Sequence, residues 1–108
     1  MQQLKSIHEA RDILRQPVVL IFKHSTRCSI SAAAYSEMQN LLESNRQAPA
    51  WLVDVIADRE VSAEIARLTS VRHESPQILI LKDGHVVWHA SHYGITAEAV
   101  ARELLKVG

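Results

Sequence analysis

Cys28 is the single cysteine of the chain and sits in Thr26-Arg27-Cys28-Ser29-Ile30-Ser31. The apolar run Val18-Val19-Leu20-Ile21-Phe22 comes just before it, and a helix-like stretch follows. A thiol where a buried strand hands over to a helix N-terminus has two reasons to be acidic. Arg27 supplies positive charge next door, and the unpaired N–H groups of the first helical turn supply more. The thiolate is the reactive form of cysteine, so the chemistry this placement predicts is nucleophilic attack by sulfur. Thr26 and Arg27 are polar and lie outside the apolar run, which should leave the thiol near solvent. That context weighs against the alternative, a cysteine that merely packs as a small hydrophobe. Ser31, one helical turn on, offers a hydroxyl that could hydrogen-bond a thiolate or cap the helix. No second thiol exists to close an internal disulfide.

Other residues invite chemical readings. Ser75-Pro76 stands just before the apolar run Gln77-Ile78-Leu79-Ile80-Leu81. Proline at a strand entrance needs no function, and sequence leaves the isomer of its peptide bond open. His24 and His73 precede Cys28 and Pro76 and could tune the thiol, although solvated histidines at strand ends are the simpler reading. On a strand, His85 and His89 would share a face while His92 points the other way. No cysteine or carboxylate completes a ligand set with them, so no metal site is expected. Trp51 and Trp88 fall in strand-like runs and read as core.

The elements that must position Cys28 follow from periodicity and punctuation. Ser6-Ile7-His8-Glu9 reads as a capping box, with Ile7, Ala10 and Leu14 on one face of a short helix ended by Pro17. Val18 to Phe22, continuously apolar, suits a central strand covered on both sides. Ile30, Ala34, Met38 and Leu41 recur at helical spacing from Ser29 to about Asn45. Beyond Pro49, Trp51 to Ile56 reads as a second buried strand. A third helix runs from about Glu60, with Val61, Ile65 and Leu68 on one face. Gln77–Leu81 and Val86–Trp88 flank Lys82-Asp83-Gly84-His85, a strong hairpin signal because type I′ turns need positive φ. Thr96 should cap a last helix with Ala97, Val100, Ala101, Leu104 and Leu105 inward.

The order is therefore α-β-α-β-α-β-β-α. A helix joins the first two strands, so they should be parallel through a right-handed crossover. The last two strands form an antiparallel pair, giving a mixed four-stranded α/β sheet flanked by helices. Cys28 then lies at the carboxyl end of the first strand, the edge of an open α/β sheet where ligands usually bind.

Composition narrows the function classes. At 108 residues the chain is long enough for one domain with a real core and no disulfide staples. Twelve basic residues balance twelve acidic ones, so nucleic acid and anionic membranes receive no electrostatic support. No apolar run is long enough to cross a bilayer. Met1-Gln2-Gln3-Leu4-Lys5-Ser6 lacks the basic-then-apolar form of a signal peptide. A lone cysteine without an export signal points to a reducing cytoplasm.

The element order, the Cys-x-x-Ser after the first strand and Pro76 before the hairpin together resemble the thioredoxin fold. More narrowly, His24-Ser25-Thr26-Arg27-Cys28-Ser29-Ile30-Ser31-Ala32-Ala33-Ala34 resembles the active-site segment of the monothiol bacilliredoxins. These are small thioredoxin-like proteins of the bacillithiol redox system. The resemblance extends over nearly the whole chain and implies one thioredoxin-like domain over residues 1–108. One departure stands out: the family usually has proline directly after the cysteine, and this chain has Ser29. Serine supplies a hydroxyl and an N–H that proline lacks, either of which could stabilise a thiolate.

The resemblance implies that Cys28 is the attacking thiol and that Ser31 stands where dithiol relatives keep a resolving cysteine. It implies that Pro76 is the cis-proline facing the thiol. Ser75 and Thr26 would then help to hold substrate, and Arg27 and Ser29 would support the thiolate. The implied activity is removal of bacillithiol from S-bacillithiolated client proteins through a Cys28 mixed disulfide. Bacillithiol would be co-substrate, with no bound cofactor, and a separate disulfide reductase is a further candidate partner. Two readings compete: a glutaredoxin-like iron–sulfur carrier using the Cys-x-x-Ser thiol, and a thioredoxin-fold module that binds partners without catalysis. Monothiol glutaredoxins typically carry Gly-Phe where this chain has Ser29-Ile30.

Overall fold

In a computed structural model, which describes residues 1–107, helices alternate with strands along most of the chain. β1 (Gln2–Gln3) leads into α1 (Ile7–Ile13), β2 (Val18–His24) and α2 (Ser29–Ser44). Then come β3 (Ala50–Asp54), α3 (Arg59–Thr69), β4 (Gln77–Lys82) and β5 (His85–Ser91). A single 3₁₀ turn (His92–Gly94) precedes α4 (Ala97–Val107). No helix among the described residues is long and apolar enough to cross a membrane.

The sheet is five-stranded, in the order β1-β3-β2-β4-β5, one strand more than the sequence pattern suggests. The extra strand is Gln2–Gln3, which runs parallel to β3 along its outer edge. Both side chains are exposed, so backbone pairing alone makes this strand and no apolar alternation announces it. β2 and β3 are parallel, as their helical connection requires, while β4 is antiparallel to both β2 and β5. Asp83 (φ 51°) and Gly84 (φ 83°) turn the last hairpin, the two positive φ values of a type I′ turn.

Alternation along β2 divides the core into two layers. Val19 and Ile21 join Ala10, Ile13 and Leu14 of α1 and Val61 and Ile65 of α3 on one face. Leu20 and Phe22 join Ala34, Met38 and Leu41 of α2 and Val100 of α4 on the other. Trp51 and Trp88 are only partly buried, each packed against the edge of one layer.

Local chemistry sets most element ends. Ser6 Oγ accepts from the Glu9 N–H at 3.0 Å, and Glu9 Oε1 accepts from the Lys5 N–H, one residue before the expected reciprocal partner. Thr96 Oγ1 accepts from the Ala99 N–H and caps α4. β3 stops at Asp54, two residues short of the apolar run. Asp54 Oδ1 accepts from the N–H groups of Ile56 and Ala57 and folds the chain into a turn. Two apolar residues expected inside are outside. Leu105 is 83% exposed, because at about 100° per residue it lies roughly 140° around α4 from the buried Val100. Leu68, in the last turn of α3, is 40% exposed and lines a surface groove with Leu14 and Arg15.

α1 and α3 are tied by one carboxylate. Glu64 accepts from Arg67 Nε at 2.7 Å and from Arg11 Nε at 2.8 Å. Those bonds, first from Arg67 and then from Arg11, hold its carboxyl at about 2 against an ordinary 4.5. A carboxyl depressed in the native state adds stability that is present above its unfolded value and lost as pH falls through the folded one. Glu64→Gln should therefore lower stability at pH 7. In urea melts at falling pH, its deficit against wild type should begin to shrink below pH 4.5 and close near pH 2. A constant deficit would show that the loss has another cause.

Candidate active site

Cys28 is the N-cap of α2, in extended backbone geometry (φ −115°, ψ 126°), with its carbonyl already accepting from the Ala32 N–H at 3.0 Å. Its side chain makes no capping hydrogen bond, and the first turn of the helix carries no carboxylate. The sulfur thus sits at the positive end of a sixteen-residue helix with no competing anion on that turn. Cys28 is half-buried, whereas Thr26, Arg27 and Ser29 around it are exposed. The Arg27 guanidinium enters no ion pair among the described residues, so it is available to an anionic ligand.

Ser31 does not cap the helix. The buried stripe of α2 is Ser31, Ala34, Met38 and Leu41, so the serine, and not Ile30, occupies the first inward position. Ser31 is fully buried; its Oγ accepts from the Ser25 N–H at 2.9 Å and pairs with His24 Nδ1 at 2.7 Å. These bonds tie the end of β2 to the first turn of α2 and fix the loop that presents Cys28. His24 is held in turn by rings, stacked on Phe22 at 5.6 Å and tilted against Tyr35 at 5.0 Å. Burial pushes its imidazole below the ordinary 6.5, while Asp54 across the sheet and the Ser31 contact pull the other way. His24 is therefore a half-buried partner of Ser31 and not the solvated strand-end residue its position suggests.

The second arm of the site comes from β4. The Ser75–Pro76 peptide is cis. β2 and β4 pair antiparallel with Phe22 opposite Ile78 and Lys23 opposite Gln77. Continuing that register sets Pro76 beside His24, so the Ser75-Pro76 corner and the Cys28 loop rise from the same end of adjacent strands. Pro76 is buried and its carbonyl accepts from the His92 N–H at 3.0 Å. Ser75 Oγ is buried with no hydrogen-bond partner. A buried hydroxyl without a partner is uncommon enough to call for a reason. Next to it, the Ser91 hydroxyl first, and then His92, Arg72 and His89, hold Glu74 below the usual carboxylate range against the opposing effect of burial.

Lys23 lies on the opposite face of β2, fully buried. Its Nζ donates to the Ser62 carbonyl at 3.1 Å and meets His73 Nδ1 at 3.3 Å; His73 Nδ1 also lies 3.0 Å from Ser62 Oγ. This cluster fastens the segment leading to Ser75-Pro76 onto β2 and α3. Burial lowers the Lys23 amine to about 8, and His73 is lowered by burial and by the Lys23 charge.

Cys28, Ser31, Ser75 and Pro76 thus come to one end of the sheet, with Thr26, Arg27 and Ser29 on the exposed rim. Lys23 is the residue the sequence reading misses, and for His24, weighed there as a tuner of the thiol, it misses the bond to Ser31. The run Val18–Phe22 gives a strand that stops two residues early. Carrying its period of two forward would have placed His24 on the face of Leu20 and Phe22, seven residues before Ser31.

Comparison with known proteins fits this geometry. Residues 1–100 match the family model of the monothiol bacilliredoxin BrxC. A solved structure described as a proposed oxidoreductase with a thioredoxin fold superposes with a TM-score of 0.85 at 32% identity, covering 94% of this chain and 90% of that one. Mitochondrial thioredoxin 3 from Saccharomyces cerevisiae (TM-score 0.76, 15% identity, 98% of this chain and 94% of that one) shares the fold. So does a thioredoxin from Plasmodium falciparum (0.78, 16% identity, all of both chains). The fold is that of thioredoxin, the thiol site supports a thiol–disulfide oxidoreductase, and the chain belongs to the monothiol bacilliredoxin family.

Proposed function

We propose that the protein removes bacillithiol from S-bacillithiolated client proteins by thiol–disulfide exchange at Cys28. The observation that carries this reading is a half-exposed, solitary thiol at the N-cap of α2, with serine at the position one turn on. The Cys28 thiolate attacks the bacillithiol sulfur of the client's mixed disulfide. A new S–S bond forms between Cys28 and bacillithiol, the old one breaks, and the client sulfur leaves as a thiolate that takes its proton from water. The chain has no thiol with which to expel the adduct, so a second free thiol or a separate disulfide reductase must attack it. That dependence suits a reducing cytoplasm.

Two features support recognition. Arg27 is an exposed, unpaired cation beside the sulfur and suits a carboxylate of the small thiol. Ser75 brings a buried hydroxyl with an open valence to the corner where the backbone before a cis-proline can pair with an extended client segment. Thr26 and Ser29 complete the rim from the Cys28 side.

The test is a discharge assay on a client carrying one bacillithiol, read by recovery of the client's free thiol. Wild type should release it, while client alone should not. Arg27→Ala should lower kcat/KM by about 2–5-fold, the scale of an exposed charge pair, and added salt should shrink the difference. Ser75→Ala should leave stability unchanged or slightly higher while raising KM, because it deletes an unsatisfied group that only substrate would satisfy. No discharge by wild type would overturn the reading.

A further inference from the structure

Ser31 has one hydroxyl hydrogen and two lone pairs, and its surroundings account for nearly all of them. The Ser25 N–H occupies one lone pair at 2.9 Å. His24 Nδ1, at 2.7 Å, takes either the hydrogen or the second lone pair. When Nδ1 is bare, Ser31 must donate to it, and the hydrogen is used. When Nδ1 carries a proton, the ring donates to Ser31, and the serine hydrogen is released. Ser31 is fully buried, so water is not at hand to take that hydrogen. Cys28 is the N-cap and Ser31 the third residue of the helix, three residues apart, the spacing that brings side chains onto one side of a helix, and the Cys28 side chain makes no capping hydrogen bond of its own.

We propose that His24 is a positioning residue for the thiol and acts through Ser31: the proton on Nδ1 decides whether the Ser31 hydrogen is held by the imidazole or turned to the Cys28 sulfur. A thiolate is a far stronger acceptor than a thiol, so thiolate formation favours the Nδ1–H form of the ring. The coupling is reciprocal, and a ring biased to Nδ1–H favours the thiolate in return. In the neutral ring this is a change of tautomer, with no proton gained or lost. The groups that face His24 are few. Asp54 of β3 is opposite it in the sheet register and Tyr35 of α2 lies against the ring. Phe22 stacks on it from its own strand, and Pro76, beside it on β4, bears no charge. Lys23 points to the other face of the sheet, into the cluster with Ser62 and His73. Asp54 favours a protonated ring, while burial opposes it.

The inference needs Cys28 to ionise but not to carry bacillithiol, so it can fail or stand apart from the function proposed above. The experiment follows the ¹⁵N resonances of the His24 ring while pH rises through the thiol–thiolate transition. It uses reduced wild type, wild type alkylated at Cys28 with iodoacetamide, and Ser31→Ala. In reduced wild type, Nδ1 should move toward the protonated-nitrogen position as the thiolate forms. In the alkylated protein and in Ser31→Ala that movement should be absent, and the exposed His85 ring should follow the same course in all three samples. An unchanged His24 tautomer across the transition in wild type would overturn the proposal, as would the same change in alkylated protein or in Ser31→Ala. If Ser31→Ala does not fold, the alkylated sample still decides.

Discussion

Cys28→Ala should abolish exchange, with a rate in single-turnover assays more than ~10³-fold below wild type. The size of the loss follows from the inventory of the chain. Cys28 is its only sulfur nucleophile, and neither Ser29 nor Ser31 can substitute, because an alcohol is far less acidic and less nucleophilic toward sulfur than a thiol, and Ser31, though bonded to His24, is fully buried. Cys28→Ser should be equally inactive for the same reason. Wild type should also behave in a way a dithiol enzyme would not. Mixed with excess bacillithiolated client and no other thiol, it should release one equivalent of client thiol per chain and then stop. Adding free bacillithiol should restart it. Continuous turnover without added thiol would contradict the single-thiol mechanism, and residual activity in Cys28→Ala would contradict the assignment of the nucleophile.

Lys23→Met should make the protein more stable at neutral pH, although it removes two polar contacts. Burial lowers the Lys23 amine from 10.5 to about 8. Below about pH 8 the native and unfolded chains both hold the proton, and the native state carries the full cost of a buried charge. Between about 8 and 10.5 the unfolded chain binds a proton that the native chain has lost, so stability rises with pH through that window. The depression corresponds to on the order of 3 kcal/mol at 1.36 kcal/mol per unit. Methionine keeps the length of the side chain without the charge, and His73 keeps its bond to Ser62 Oγ. A net gain of about 1–3 kcal/mol at pH 7 is expected, disappearing above pH 10.5. Chemical denaturation of both proteins from pH 6 to 11 measures it, and a Lys23→Met protein less stable than wild type at pH 7 would refute it. The same substitution should slow exchange a few-fold, because Lys23 and His73 join the segment before Ser75-Pro76 to β2. Stability is given up there to hold the Ser75-Pro76 corner in place.

These two residues mark the limits of what the chain shows before it is folded. Cys28 was legible because strand and helix periodicities meet around it and polar residues break the apolar run just ahead. The hairpin was legible because Asp83-Gly84 permits the positive φ values the turn requires. Lys23 was not: a lysine after five apolar residues reads as the end of a strand, and only the cover of α3 and the loop at His73 buries it. For the same reason His24 looks like a strand end, and its bond to Ser31 leaves no mark in the sequence. The edge strand Gln2–Gln3 uses only backbone groups to pair and so left no mark on side-chain pattern. Ser29 is exposed at the first position of α2, where its N–H adds one more donor at the helix start than proline would.

The account stands most directly on where the small thiol goes. Reduced protein and a client bearing one bacillithiol are mixed, quenched in acid within the first turnover, and both chains are weighed intact, with a glutathione-bearing client run in parallel. The account predicts that this chain gains the mass of one bacillithiol, mapped to Cys28, while the client loses the same mass, and that glutathione moves more slowly. A chain that stays at its reduced mass while the client keeps its adduct, or one that becomes joined to the client itself, would contradict it.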